Sequence, residues 1–195
     1  MEFDIKSSRR ILDDVFQVDE SYVRFERFDG SMAGPVRCLR FVRDDSVAAI
    51  LFHRGLKHVI LVQQFRYPTC EAGWAWTIET VAGSLDPEEA PEAGMRREIE
   101  EETGYRVGAM TPIATFFVSP GGSTERVFLF YAEIDGPERV SIGGGVTAEG
   151  EDIRMLSVSL DEARQLLVDG KIADAKTIIA LQWLLASRKA AGEDE

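Results

Sequence analysis

Three glutamates, Glu98, Glu101 and Glu102, stand at spacings i, i+3 and i+4 near the end of the segment GSLDPEEAPEAGMRREIEEETGY, Gly83 to Tyr105. If that segment is helical, the three carboxylates share one face. They would also crowd the C-terminal end, where the helix dipole is negative and a carboxylate is disfavoured by a few tenths to about 1 kcal/mol. At about 6 Å separation and an effective dielectric near 20, an ionised pair held off bulk water repels by roughly 2 to 3 kcal/mol. A hard divalent cation removes that cost, because magnesium and manganese take carboxylate oxygens, water and phosphate oxygens as ligands. The alternative is a solvated acidic face in which Arg96 pairs with Glu100 and Arg97 with Glu101 at i+4 spacing.

The residues around the glutamates decide between these readings. Gly83, Glu89, Arg97, Glu98, Ile99, Glu101, Glu102, Gly104 and Tyr105 fill, in order, a pattern of glycine, five residues, glutamate, seven residues, Arg-Glu, an aliphatic residue, any residue, Glu-Glu, any residue, glycine and a bulky apolar residue. This resembles the signature of the Nudix hydrolase family; an aliphatic residue is more usual at Tyr105, a difference that bears on packing and not on chemistry. The resemblance implies an α/β (α+β) fold, an αβα sandwich with a mixed sheet, whose glutamates hold Mg2+, with Mn2+ as a substitute. Carried over by position, Glu98 and Glu102 are the expected principal metal ligands, Glu101 assists directly or through water, and Ala82 offers its backbone carbonyl. Arg97 orients the carboxylates by pairing with Glu89, and Gly83 allows a backbone approach that a Cβ would block.

The signature names a chemistry, not a substrate. Ser119-Pro120-Gly121-Gly122, with Pro120 fifteen residues after Tyr105, is similar to a marker of ADP-ribose pyrophosphatases, and GGGVTAEGEDI resembles the GDP-mannose and ADP-ribose branches of the family. That resemblance implies a pyrophosphohydrolase of a nucleoside diphosphate-sugar, giving AMP and ribose 5-phosphate or GMP and mannose 1-phosphate. It casts Glu149 as general base, Glu151 as an additional metal ligand, Arg66 as a phosphate clamp, and Glu79, Glu125, Pro120 and Gly121 as substrate-side residues. The alternatives are a non-catalytic nucleotide-sugar sensor of the same fold and a house-cleaning nucleoside triphosphatase. Gly143 to Gly145 read as a flexible hinge able to swing the Glu149 loop over substrate. In this branch the N-terminal strands commonly exchange across a homodimer. Tyr22, Phe25, Phe28, Arg37 and Arg40 are candidates for base recognition there, with ordinary strand packing as the alternative.

The elements that must position these groups are legible in outline. SYVRFERF, VRCLRFVR and VAAILF, separated by turn residues, predict antiparallel strands, and HVILVQQFRY, WTIETVAG, ATFFVS, RVFLFYAEI and IRMLSVS predict further ones. From Pro91 the period becomes helical, with Pro91 suited to the first position and Gly104 to the stop. The capping box at Ser159 and Glu162 opens a helix that ends at Gly170, and a last helix starts near Asp174. The expected organisation is a β-rich annex over residues 1–45, a main domain over 46–190 and a disordered tail over 191–195.

Composition sets the bounds. A net charge of −12 over 195 residues lacks the basic footprint of a phosphate-backbone reader, so nucleic acid is not an expected partner and an anionic substrate needs cations to bring it in. Cys38 and Cys70 form no CxxC pair, which fits a reducing cytoplasm. The N-terminus has no apolar signal core and no stretch is long and apolar enough to span a bilayer, so no membrane is expected. His53 and His58 match no ligand spacing and are expected to be solvated.

Overall fold

The computed structural model describes residues 1–135 and 139–191, which fall into two compact units. The first comprises Met1–Asp45 with Phe117–Arg126, and the second Ser46–Phe116 with Val127–Glu195. Of the tail expected over 191–195, Ala191 is instead the last residue of the final helix, and 192–195 lie outside the described residues.

The second unit is a seven-stranded mixed sheet between helices. Its strands are β4 (Ser46–His53), β5 (His58–Phe65), β6 (Trp76–Glu79), β7 (Val81–Ser84), β8 (Met110–Phe117), β9 (Arg126–Ile134) and β10 (Arg154–Ser159), and its helices are α1 (Pro91–Thr103), α2 (Leu160–Val168) and α3 (Ala175–Ala191). The central order is β10-β5-β4-β9-β8, with β6 paired to β5 and β7 to β4. β4 runs parallel to β9 and antiparallel to β5. All of β4 is buried, and its side chains alternate between two cores. Val47, Ala49 and Leu51 join Met95 and Ile99 of α1, while Ala48, Ile50 and Phe52 join Ala163 of α2 and Ala180, Leu181 and Leu184 of α3. That parity makes the αβα sandwich.

The first unit is a three-stranded antiparallel sheet of β1 (Phe3–Asp13), β2 (Gln17–Glu26) and β3 (Met32–Val42). The charged residues of β1 hide its alternation in the sequence, and its pairing with β2 is what makes it a strand. Asp19, Glu20 and Ala33 are its buried residues. The segment 117–126 joins this unit, with the Phe41 amide donating to Gly122 O at 2.7 Å and the Thr124 amide to Phe41 O at 3.0 Å. Pro120 and Gly121 are exposed here, and Glu125 faces Arg43 at 4.0 Å. Arg37 and Arg40, candidate base readers, are engaged with Glu20 and Asp19, at 2.5 and 2.8 Å.

Candidate active site

Helix α1 carries the glutamates as its signals predicted. Pro91 occupies its first turn and Gly104 ends it at φ 74, in the left-handed region that glycine tolerates. A side chain on Gly104 would also strike the carbonyl of Ser141, because the loop beyond β9 lies against the helix end. The amides of Gly144 and Gly145 donate to Glu102 O at 2.9 Å and Glu101 O at 3.0 Å, and Val140 donates to Gly104 O at 2.8 Å. Gly143 to Gly145 therefore do not form a free hinge. Gly144 and Gly145 cap carbonyls that the helix itself leaves unpaired, Gly143 donates to the Ser141 hydroxyl, and this capping fixes the start of the loop carrying Glu149 and Glu151.

Arg97 is the organiser of the helix face. Its guanidinium reaches Glu89 at 3.0 Å, Glu98 at 2.7 Å and Glu101 at 3.1 Å, and donates to Ser84 O at 3.2 Å. Its pKa is raised, first by the hydrogen bonds to Glu89. The Arg96–Glu100 pair of the alternative, solvated-face reading does not form: Arg96 donates to the Val107 and Gly108 carbonyls, and Glu100 takes Arg106 at 2.9 Å. Backbone carbonyls beyond the helix stop, unpaired by any strand, outcompete an exposed side-chain pair.

Beyond the reach of Arg97 one carboxylate oxygen stands out. Glu102 is 2% exposed, and among the described residues its Oε2 has no hydrogen-bond partner. Burial holds its pKa well above the usual carboxylate range, and the charges of Glu98 and Glu151 push the same way. Glu98, 8% exposed, is raised too, first by burial and then against the pull of Arg97. Its carboxylate lies over Gly83 so closely that any Cβ there would overlap it. The glycine is thus required for space: Gly83 follows Ala82, which pairs with Ala48 in the β7–β4 ladder. Glu151 accepts the Val146 amide at 2.8 Å and faces both helix glutamates. Glu149 closes a short turn over Thr147–Glu149, and its side chain lies outside the described residues.

Arg66 and Glu79, both expected on the substrate side, are bound to each other by two bonds of 2.9 Å. Glu79 is buried and also takes the Thr77 hydroxyl, with Lys176 at 3.9 Å. Arg66 adds its charge toward Glu102. The structure thus gathers Ala82, Arg97, Glu98, Glu101, Glu102, Glu151, Arg66 and Glu79, whereas Pro120, Gly121 and Glu125 belong to the first unit. Asp174, Lys176 and Thr177 enter this neighbourhood without having been singled out; the one sequence signal was the helix start near Asp174. His53 was expected to be solvated and is instead buried, accepting the Leu56 amide on Nδ1 and meeting the Tyr105 ring edge-on.

Among the described residues, no three His, Cys, Asp or Glu side chains are already gathered as a metal cage. The donors nonetheless suit a hard cation. A buried, unpartnered carboxylate oxygen beside a second desolvated carboxylate is anionic charge without compensation, and such ions fill their remaining positions with water and phosphate oxygens.

A model of the NUDIX domain matches residues 42–181. The chain belongs to the Nudix family. Such hydrolases generally need divalent metal ions. A GDP-mannose pyrophosphatase of Klebsiella pneumoniae subsp. pneumoniae is 40% identical over 87% of this chain and 84% of that protein. Another from Cronobacter sakazakii is 43% identical over 73% of this chain and 74% of that one. A solved structure described as an ADP compounds hydrolase superposes with a TM-score of 0.75, covering 99% of this chain and 97% of that one at 18% identity, which shows the shared fold. Among the described residues no helix is long and apolar enough to cross a membrane.

Proposed function

We propose that this chain is a metal-dependent pyrophosphohydrolase of nucleoside diphosphate-sugars, with GDP-mannose, split to GMP and mannose 1-phosphate, ahead of ADP-ribose. The observation that carries the hydrolase reading is Glu102, buried with an unsatisfied oxygen on a complete Nudix signature. The names of the relatives support the choice of sugar nucleotide.

In this reading Glu98 and Glu102, with the Ala82 carbonyl and Glu151, hold Mg2+, or Mn2+ in its place, and Glu101 assists. Bound there, the ion supplies neutralisation of the charge that develops on the diphosphate oxygens. Arg97 keeps Glu98 and Glu101 in place through its fork of bonds. Water attacks one phosphorus in line, and Glu149 accepts its proton. Arg66 holds Glu79 through Nε and Nη2, which leaves its Nη1 edge to turn to a phosphate, while Thr77 and Lys176 help to hold that buried carboxylate. Glu125, Pro120 and Gly121, carried by the first unit, are proposed as further substrate-side residues on the resemblance alone.

The protein works as a cytoplasmic homodimer in this reading. The first unit exposes Phe3, Ile5, Phe16, Tyr22, Phe25 and Leu39 and buries little of its own, and a three-stranded sheet of that kind calls for a covering surface. Sedimentation equilibrium should give twice the chain mass.

The deciding experiment is incubation with GDP-mannose, ADP-ribose and nucleoside triphosphates, each with Mg2+. Release of GMP from GDP-mannose at the highest rate is expected. A faster triphosphate reaction would move the protein to the house-cleaning class, and tight binding without turnover would make it a sensor.

A further inference from the structure

The strand that leads into the signature changes partners at one residue. β6 is laddered to β5 as far as Glu79, β7 is laddered to β4 from Val81 onward, and Thr80 stands between them in neither ladder. Thr80 is fully buried, so its backbone amide needs a partner that no strand provides. That partner comes from α3. The Thr177 hydroxyl accepts the Thr80 amide at 2.7 Å and donates its own proton to Asp174 at 2.7 Å. Asp174 in turn accepts the Thr177 amide at 2.9 Å, as an aspartate does at the start of a helix. On the other side, the Thr80 hydroxyl donates to the Ala49 carbonyl of β4.

Two residues beyond this crossing lies Ala82, and one before it lies Glu79, the partner of Arg66. We propose that Thr177, oriented by Asp174, is a positioning residue that fixes the strand crossing at Thr80 and so sets the place of the Ala82 carbonyl and of Gly83 against Glu98. It touches none of the reacting groups. Its hydroxyl is at once acceptor and donor, which is why a threonine serves here and an apolar residue of the same shape does not. The inference rests on the reading of Glu98, Glu102 and the Ala82 carbonyl as the metal site.

The test compares the full-length wild type with Thr177→Val, Thr177→Ser and Glu98→Gln, measuring Mn2+ affinity without substrate by the paramagnetic resonance of the free ion. Thr177→Val should weaken Mn2+ binding by about tenfold, the size usual when a supporting group behind a ligand is lost, and Thr177→Ser should restore it. A purely structural role would lower the melting temperature of Thr177→Val and leave Mn2+ affinity unchanged, which overturns the proposal. If Glu98→Gln binds Mn2+ as well as the wild type, the metal-site reading itself falls and the inference with it. Should Thr177→Val fail to fold, amide exchange of the wild type decides: the Thr80 amide should be among the slowest in its unit, and rapid exchange there overturns the brace.

Discussion

The molecule buries acidic side chains in two regions and treats them in opposite ways. In the first unit Glu20 lies between Arg9 and Arg37, at 2.6 and 2.5 Å, and Asp19 between Arg10 and Arg40, at 2.5 and 2.8 Å. Their low exposure comes from the arginines laid over them at the surface of a thin sheet. The hydrogen bonds from Arg37 and from Arg10 lead the causes that pull these two carboxylates below their usual range. On α1, by contrast, burial leads the causes that push Glu98 and Glu102 upward, and Arg97 is shared among three carboxylates while Glu102 has no contacting cation among the described residues. The lesson is that an acidic cluster counts as a candidate site when its charge is left uncompensated, not when it is merely dense. Structural clusters close their own ion pairs; this one is left open to an outside cation.

Breaking the open cluster should have the largest effect. Glu98→Gln and Glu102→Gln should each cut GMP release from GDP-mannose by about three orders of magnitude or more, since on the proposed reading each removes a charged ligand, and Mn2+ affinity should fall in parallel. Retained metal affinity in both would mean that the cluster is structural after all, like that of Asp19 and Glu20.

Glu149→Gln should slow turnover by about 10²- to 10⁴-fold while Mn2+ affinity stays near the wild-type value, which separates the proton acceptor from the ligands. An unchanged rate would pass the base role to Glu151.

The two regions should also respond oppositely to pH. Glu98 and Glu102 keep protons that the unfolded chain releases above the ordinary glutamate value of 4.5. Their contribution to the stability of the metal-free protein therefore falls as pH rises from that value toward their raised ones. A divalent ion binds the deprotonated forms, so the rise in melting temperature on adding Mg2+ should shrink steadily from about pH 8 to about pH 5. A constant increment would show that these carboxylates are not the ones being titrated.

The smallest effect belongs to the closed cluster. Glu20→Gln should lower the melting temperature modestly, and because the folded-state value of Glu20 is depressed, the deficit should be present at neutral pH and fade as pH falls through the carboxylate range. Mn2+ affinity should not change.

Much of the site could be read before any fold was known, because its chemistry is written in local spacing. Glu98 and Glu102 fall one helical turn apart, Gly104 ends the helix, and the Arg97–Glu89 pair spans only eight residues. Less of the surroundings was legible. Arg66 and Glu79 were picked out as substrate-side groups, but not that they would be bound to one another. Gly143 to Gly145 read as a hinge, yet Gly144 and Gly145 cap a helix about forty residues earlier, since glycine marks both flexibility and close backbone approach. β1 escaped because its alternation is carried by charged side chains whose partners come from β2.

The sequence by itself determined the strand and helix succession after β1, the acidic face and its family, since periodicity, caps and signature spacing act over a few residues. Tertiary structure alone decided which carboxylates go unsatisfied. Whether a glutamate ends beside an arginine or beside another glutamate depends on the packing of β4, β7, α1 and the loop before β10, and desolvation, which turns that choice into energy, exists only once the chain has folded.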